Sequence, residues 1–313
     1  SEPPSGSEPT PETPRRPPMN LSLSRSFPIA KAALAAAVIA CVVALTCSLT
    51  GCASGGTDGS SADADNTSAS TDGKALRVAM ELAYPPFETK DDAGNPEGLA
   101  VDFIRDFGAA YGYDVQIENT AWDGLIPSLQ SDKADLVISS MTITDERKQS
   151  VDFSDAYAMA QLAILANADS GVASIDDLNQ PGKKVAVKTG STGDVYATKN
   201  LTNAEIVRLA DESACVTEVV QGKADGFLYD QLTIYRNHQA NPDTTEAVFI
   251  PFQDAEEWGI AVKKGDTELL DQLNAFIAQS KTDGEFDRLT EKYLADEKKA
   301  FDQYGFKWFF DFE

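Results

Sequence analysis

The sequence predicts an α/β protein of two lobes, each a mostly parallel sheet with flanking helices, joined by two hinge segments. Three observations carry this. Short β-branched runs alternate with helix-periodic stretches from residue 74 onward, that series occurs twice, and two extended apolar segments separate the sets. In order, residues 75–80 (ALRVAM) read as a strand. Residues 99–111 (LAVDFIRDFGAAY) place Val101, Phe103, Ile104 and Phe107 at helical spacing, and residues 114–118 (DVQIE) return to strand alternation. Residues 125–130 (LIPSLQ) read as helix and 134–138 (ADLVI) as a buried strand; this order implies parallel pairing through right-handed crossovers. The second set runs through a strand at 184–187 (KVAV), a helix around 195–200, a strand at 207–209, a helix at 213–221 and a strand at 226–228. The extended segments are 156–166 and 254–262, as expected of a chain that leaves one lobe, builds the other and returns. Two amphipathic helices, 267–280 and 284–293, are expected to pack back on the first lobe. The lobes are therefore drawn as 74–157 with 258–300, and 158–257.

Composition narrows the function. Of 313 residues, 50 are Asp or Glu and 26 are Lys or Arg, a formal charge of -24. No basic run exists to release counterions from a phosphate backbone, so nucleic acid is excluded as a partner. A lone histidine, His238, disfavours a His-ligated metal centre or a Ser-His-Asp triad, and no cofactor or metal is expected. Its segment reads as a helix end entering a loop.

The first 73 residues are not expected to belong to the fold. Residues 1–18 are Pro-rich without a core-forming residue and read as a disordered extension, with Met19 the more natural start. Arg25 and Lys31 precede an apolar run at 32–45, the layout of a secretory signal and short for a membrane span. Leu49-Thr50-Gly51-Cys52 follows and resembles the lipobox of bacterial lipoproteins. That resemblance implies a signal peptide over 19–51, acylation of Cys52 and attachment to the membrane through its lipid. Residues 53–73 use only Ala, Ser, Gly, Thr, Asp and Asn and read as a flexible tether. Its expected reach is about 25 Å. Loss of residues 1–51 would leave 47 acids and 22 bases, a charge of -25, so the acidity belongs to the body and its tether. Cys215 then stands alone in the body and reads as a buried small hydrophobe.

Ligands of open α/β sheets sit at the carboxyl ends of strands, so both lobes should turn loops toward one cleft. The loop after the first strand, 81–88 (ELAYPPFE), carries acids and aromatics on a Pro-Pro turn. The loop after the third, 139–147 (SSMTITDER), offers hydroxyls and backbone donors, with Thr144 as an N-cap followed by two acids. Arg147 projects from that helix start and suits a carboxylate bidentately, the competing reading being a surface pair with Asp145 or Asp152.

These segments, with 98–103 (GLAVDF), 122–129 (WDGLIPSL), 151–157 (VDFSDAY), 185–193 (VAVKTGSTG) and 222–230 (GKADGFLYD), follow in the order seen in polar amino-acid solute-binding proteins of ABC importers. Over about residues 75–295 the chain resembles that family, most closely its glutamine-binding type. The resemblance implies the periplasmic-binding-protein fold, an extracellular lipid-anchored position, and two partners: a free amino acid and the membrane subunits of an ABC permease. It implies that Arg147, with Thr142 and Thr192, clamps the ligand α-carboxylate. Asp230 would take the α-ammonium with the backbone around Ser139 and Ser140, and Tyr84 and Trp122 would sandwich the side chain's aliphatic part. Charge-assisted hydrogen bonds at about 1.5 to 3 kcal/mol each would supply much of the ~8 kcal/mol of a micromolar complex.

Side-chain choice falls to Glu81, Lys188 and Tyr229, where the sequence departs from the glutamine binders, which carry Asp and His at the Glu81 and Tyr229 positions. If Glu81 and Lys188 pair, an amide-reading site for glutamine is expected; if Lys188 points away, Glu81 favours an arginine or lysine head group. Catalysis is not expected. The rival is a cyclohexadienyl-dehydratase-like enzyme of similar fold, with Glu81, Lys188 or Asp230 as acid or base. Residues 301–313 (FDQYGFKWFFDFE) extend past the resemblance as an aromatic tail, either docked on the body or offered to a partner or membrane surface.

Overall fold

A computed structural model describes residues 73–305 and 307–312. The expected N-terminal extension, signal peptide, acylated Cys52 and tether up to residue 72 lie outside the described residues, as does Phe306.

The chain opens with β1 (Lys74–Met80), a short hairpin of β2 (Thr89–Lys90) and β3 (Pro96–Glu97), then α1 (Leu99–Tyr111). The face of α1 that carries Phe103, Ile104 and Phe107 is fully buried, as its spacing predicts, and Gly112 ends it at φ 74°, donating its N–H to Gly108. Next come β4 (Tyr113–Asn119), a 3-10 turn at Trp122–Gly124, α2 (Leu125–Gln130), β5 (Leu136–Val137), α3 (Asp145–Lys148) and β6 (Val151–Phe153). The Thr144 hydroxyl caps α3 by accepting from the Arg147 N–H, as the sequence predicts.

The chain then leaves the first sheet through β7 (Ala158–Ala160) and enters a second through β8 (Leu162–Asn167). There it forms α4 (Ile175–Leu178), β9 (Lys184–Lys188), α5 (Thr192–Asn200), β10 (Glu205–Leu209), α6 (Glu212–Val220), β11 (Gly226–Asp230), α7 (Gln231–Ala240) and β12 (Thr245–Val248). It returns through β13 (Glu256–Trp258) to β14 (Ala261–Lys263) and ends in α8 (Thr267–Ser280), α9 (Glu285–Tyr293) and α10 (Ala295–Tyr304).

The two five-stranded sheets have orders β4-β1-β5-β14-β6 and β10-β9-β11-β8-β12. Both carry a parallel core, β4-β1-β5 in one and β10-β9-β11 in the other. In each, the strand by which the chain arrives from the other sheet runs against its neighbours: β14 against β5 and β6, β8 against β11 and β12. The result is the expected two-lobe α/β fold. The outgoing β7 and returning β13 pair antiparallel as a ribbon between the sheets.

The cores differ in kind. The first sheet and its helices enclose aromatics, among them Phe87, Phe103, Phe107, Tyr157, Trp258 and Phe309. The second sheet is covered mainly by aliphatic residues, with Ile164, Val185, Val187 and Leu228 on one face and Leu165, Ala186, Cys215 and Val219 on the other. Cys215 is fully buried and unbridged, its thiol pushed up to about 12 by burial. His238 lies in the last turn of α7, with Nδ1 3.2 Å from the Thr245 hydroxyl.

The aromatic tail docks. Phe309 is fully buried among Phe87, Trp258 and Phe301, and its carbonyl accepts from the Met159 N–H of β7 at 2.7 Å. Phe310 stacks on Phe286 of α9 at 4.6 Å. Full burial of a side chain this size stabilises by roughly 2 to 3 kcal/mol, which explains why the tail folds back instead of standing in water. No helix among the described residues is long and apolar enough to cross a membrane.

Candidate functional site

The loops after the strands of both sheets meet at one cavity, beside the β7–β13 ribbon. Ten of the eleven residues singled out from the sequence line it: Glu81, Tyr84, Trp122, Ser139, Ser140, Thr142 and Arg147 from the first lobe, and Thr192, Tyr229 and Asp230 from the second. Lys188 does not line it but lies directly behind, 2% exposed.

Arg147 leaves the start of α3 and is fixed at both ends of its guanidinium. It donates to the Thr142 carbonyl at 2.7 Å and across the cleft to the Gly190 carbonyl at 3.1 Å, while its Cζ lies 5.3 Å from the centroid of the Trp122 ring. The surface pairs open at the sequence level are not made, Asp152 pairing instead with Lys264 at 2.8 Å. Burial lowers the Arg147 pKa, opposed by the charge of Glu256. The Thr142 and Thr192 hydroxyls both donate to Glu256 Oε2, at 2.9 and 2.8 Å.

At another wall of the cavity, Asp230 ends β11 and caps α7. Its Oδ1 accepts from the Leu232 and Thr233 N–H groups, and from the Tyr84 hydroxyl of the opposite lobe at 2.8 Å; Oδ2 accepts from the Thr233 hydroxyl at 3.0 Å. Burial pushes its pKa up, and these bonds work the other way. The Tyr84 ring stacks on Phe87 at 5.6 Å and meets Trp258 edge-on at 5.9 Å, so it is held as part of the first core.

The charged centre behind the cavity is Lys188. Its ammonium bonds Glu81 Oε2, sits 3.5 Å from Glu212 Oε1, and lies 5.1 Å from the centroid of the Trp122 ring. Of the two arrangements open to Lys188, the structure has the paired one. Glu212, at the first turn of α6, is pushed up to about 7, chiefly by burial, with Lys188 pulling it back. The Tyr229 pKa is raised well above the ordinary value, mainly by burial and then by Glu212.

Backbone geometry makes these positions possible. Gly193 lets α5 close on β11, since a Cβ there would meet the Leu228 carbonyl oxygen at 2.4 Å. Ser140 takes φ 47°, an unusual left-handed conformation for a residue with a side chain, in the loop that lines the cavity. Ser139 secures the same turn by accepting from the Glu81 N–H at 3.0 Å.

Sequence reasoning missed Glu88, Leu162, Ser191, Glu212, Glu256 and Trp258, which also line the cavity. Glu88 stood in the 81–88 loop and Ser191 in the 185–193 segment, beside residues that were chosen. Glu88 is fully buried, with both carboxylate oxygens lacking a hydrogen-bond partner, as do the nearby Ser140 and Tyr157 hydroxyls. Burial raises its pKa well above the ordinary value, opposed by the Ser140 hydroxyl, which lies close without meeting hydrogen-bond geometry. Glu256 and Trp258 come from a segment read only as a connection.

Comparison with known proteins bears on this site. The model of bacterial extracellular solute-binding proteins, family 3, matches residues 76–296. A probable histidine-binding protein of Neisseria gonorrhoeae is 36% identical over 232 residues, covering 73% of this chain and 86% of the relative. The crystal structure of an ancestral amino acid-binding protein, a precursor of cyclohexadienyl dehydratase, is 38% identical with a TM-score of 0.64, covering 70% of this chain and 94% of that one. An ancestral arginine-binding protein bound to glutamine is 35% identical with a TM-score of 0.65, covering 71% and 98%.

Proposed function

The chain belongs to family 3 of the bacterial extracellular solute-binding proteins, and from that premise we propose that it captures a free polar L-amino acid between its lobes and delivers it to an ABC importer. One observation carries the reading. A half-buried guanidinium with two hydroxyls, Arg147, Thr142 and Thr192, and a buried carboxylate, Asp230, line a single cavity, the two-ended recognition a zwitterion needs. Binding suffices for this role, and the dehydratase reading has only the ancestral relative's likeness behind it.

Glutamine is the ligand we infer. Glu81 and Lys188 satisfy one another, which leaves polar groups without a full unpaired charge facing a side-chain amide. A specific observation favours a second reading, a basic amino acid: Lys188 is shared between Glu81 and Glu212, and Glu88 adds a third carboxyl. Thermal unfolding with each of the twenty amino acids tests both, because a ligand specific to the native state raises the melting point. Glutamine active and arginine silent supports the first; the reverse overturns it. Calorimetry in buffers of different ionisation heat adds an independent check. A cationic side chain would hold Glu212 ionised and release protons near pH 7, whereas glutamine would release almost none.

Two further parts of the reading need their own tests. Closure of the lobes about the β7–β13 ribbon would present a surface to the permease; scattering that shows no compaction at saturating amino acid would sink it. Anchoring at Cys52 on the outer face of the membrane predicts that C52S abolishes lipid incorporation, read by labelled palmitate.

A further inference from the structure

Glu256 is a carboxylate of the chain itself, placed on groups that a ligand carboxylate is expected to use. It stands on β13, and the backbone sets its position: the Ile143 N–H donates to the Glu257 carbonyl at 2.8 Å and the Gly259 N–H to the Met141 carbonyl at 3.0 Å. This brings Glu256 Oε2 between two hydroxyls, accepting from Thr142 at 2.9 Å and Thr192 at 2.8 Å. A single oxygen thereby ties one lobe to the other. The second oxygen, Oε1, accepts from the Gln253 side chain at 2.7 Å, and the Gln253 carbonyl accepts from the Gln161 side chain of the outgoing segment at 2.8 Å. Both connecting segments thus hold the carboxylate in place.

We propose that Glu256 is an internal competitor for the carboxylate clamp and sets the affinity of the cleft. The inference rests on the reading of Arg147, Thr142 and Thr192 as that clamp. Hydroxyl stoichiometry supplies the physical reason. Each threonine has one O–H to donate, so a hydroxyl given to Glu256 is not available to a ligand. An incoming α-carboxylate has to displace Oε2 from both hydroxyls, or bind Arg147 alone with a second negative charge beside it. Either route weakens binding of any ligand that carries a carboxylate, and leaves an amine that lacks one untouched.

Isothermal titration of E256Q tests this with four probes: glutamine, arginine, and their decarboxylated counterparts 4-aminobutanamide and agmatine. The substitution Glu256→Gln keeps an acceptor but removes the charge, so E256Q should bind the amino acid that the parent protein binds about tenfold more tightly, the equivalent of one charge-assisted bond made neutral. The decarboxylated amine should change by less than twofold. E256A, checked for a parent-like unfolding transition, should move the same way. Unchanged or weaker binding of the amino acid by both variants overturns the proposal, since Glu256 would then only orient the threonines. Amine and amino acid bound equally well by the parent and by E256Q overturns the clamp reading itself, and is distinguishable because the carboxylate then contributes nothing even with the competing charge removed.

Discussion

The two walls of the cleft are built on different principles. The first lobe's wall is aromatic and braced from behind: Tyr84 leans on Phe87 and Trp258, which lean on Phe309 of the docked tail. The second lobe's wall is made of helix starts and buried charge: Ser191 and Asp230 cap α5 and α7, and Lys188 lies between Glu212 of its own lobe and Glu81 reaching over from the first. Packing of rings is indifferent to pH, while a buried ion cluster is not. The lesson is that one site can take its rigidity from dispersion on one side and from electrostatics on the other.

The largest expected effect strikes the braced wall. F309A removes a fully buried ring packed against those of Phe87, Trp258, Phe301 and Trp308 and should cost about 4 kcal/mol of stability in denaturant titration, equally at pH 5 and pH 8. A loss confined to one pH would break the comparison.

The charged wall should answer to pH. Glu212 is held near 7 in the folded protein, above the ordinary glutamate value near 4.5, so the native state binds more protons than the unfolded chain between these limits. Its contribution is full below about pH 4.5 and is lost as pH rises through 7. E212Q should remove that dependence and be more stable than its parent at pH 8 by at most about 3 kcal/mol, with little difference near pH 4. Parallel pH profiles for variant and parent would refute this account.

Smaller effects sharpen the comparison. R147K keeps the charge but loses the fork that reaches both the Thr142 and Gly190 carbonyls. It should weaken amino-acid binding by about 2 kcal/mol, roughly thirtyfold, in calorimetry. S191A removes the α5 cap, whose hydroxyl accepts from the Asp194 N–H at 3.2 Å, and should lower stability by about 1 kcal/mol.

Local signals were legible where chemistry repeats along the chain. Helix α8 falls on the residues its periodicity predicts, and the α3 cap follows from Thr144 standing before two acids. The loops at 81–88 and 139–147 stood out because loops at the carboxyl ends of strands converge in this fold, whereas Trp122, Lys188, Thr192, Tyr229 and Asp230 came from the resemblance to polar amino-acid solute-binding proteins. Glu256 was not, because nothing local distinguishes it from a linker acid; its hydroxyl partner Thr142 is 114 residues away. Glu212 was missed for a related reason: Lys188 is 24 residues distant and meets it only when α6 packs on β9.

By itself the sequence determined the two alternating sets, the loops that carry polar chemistry, and the isolation of Cys215, since periodicity and capping act over a few residues. Tertiary structure alone decided that Lys188 pairs with Glu81, that the tail docks, and that Glu256 reaches both threonines. Those outcomes depend on which groups lose water together, and desolvation is a property of the packed molecule, set by neighbours far apart in the chain.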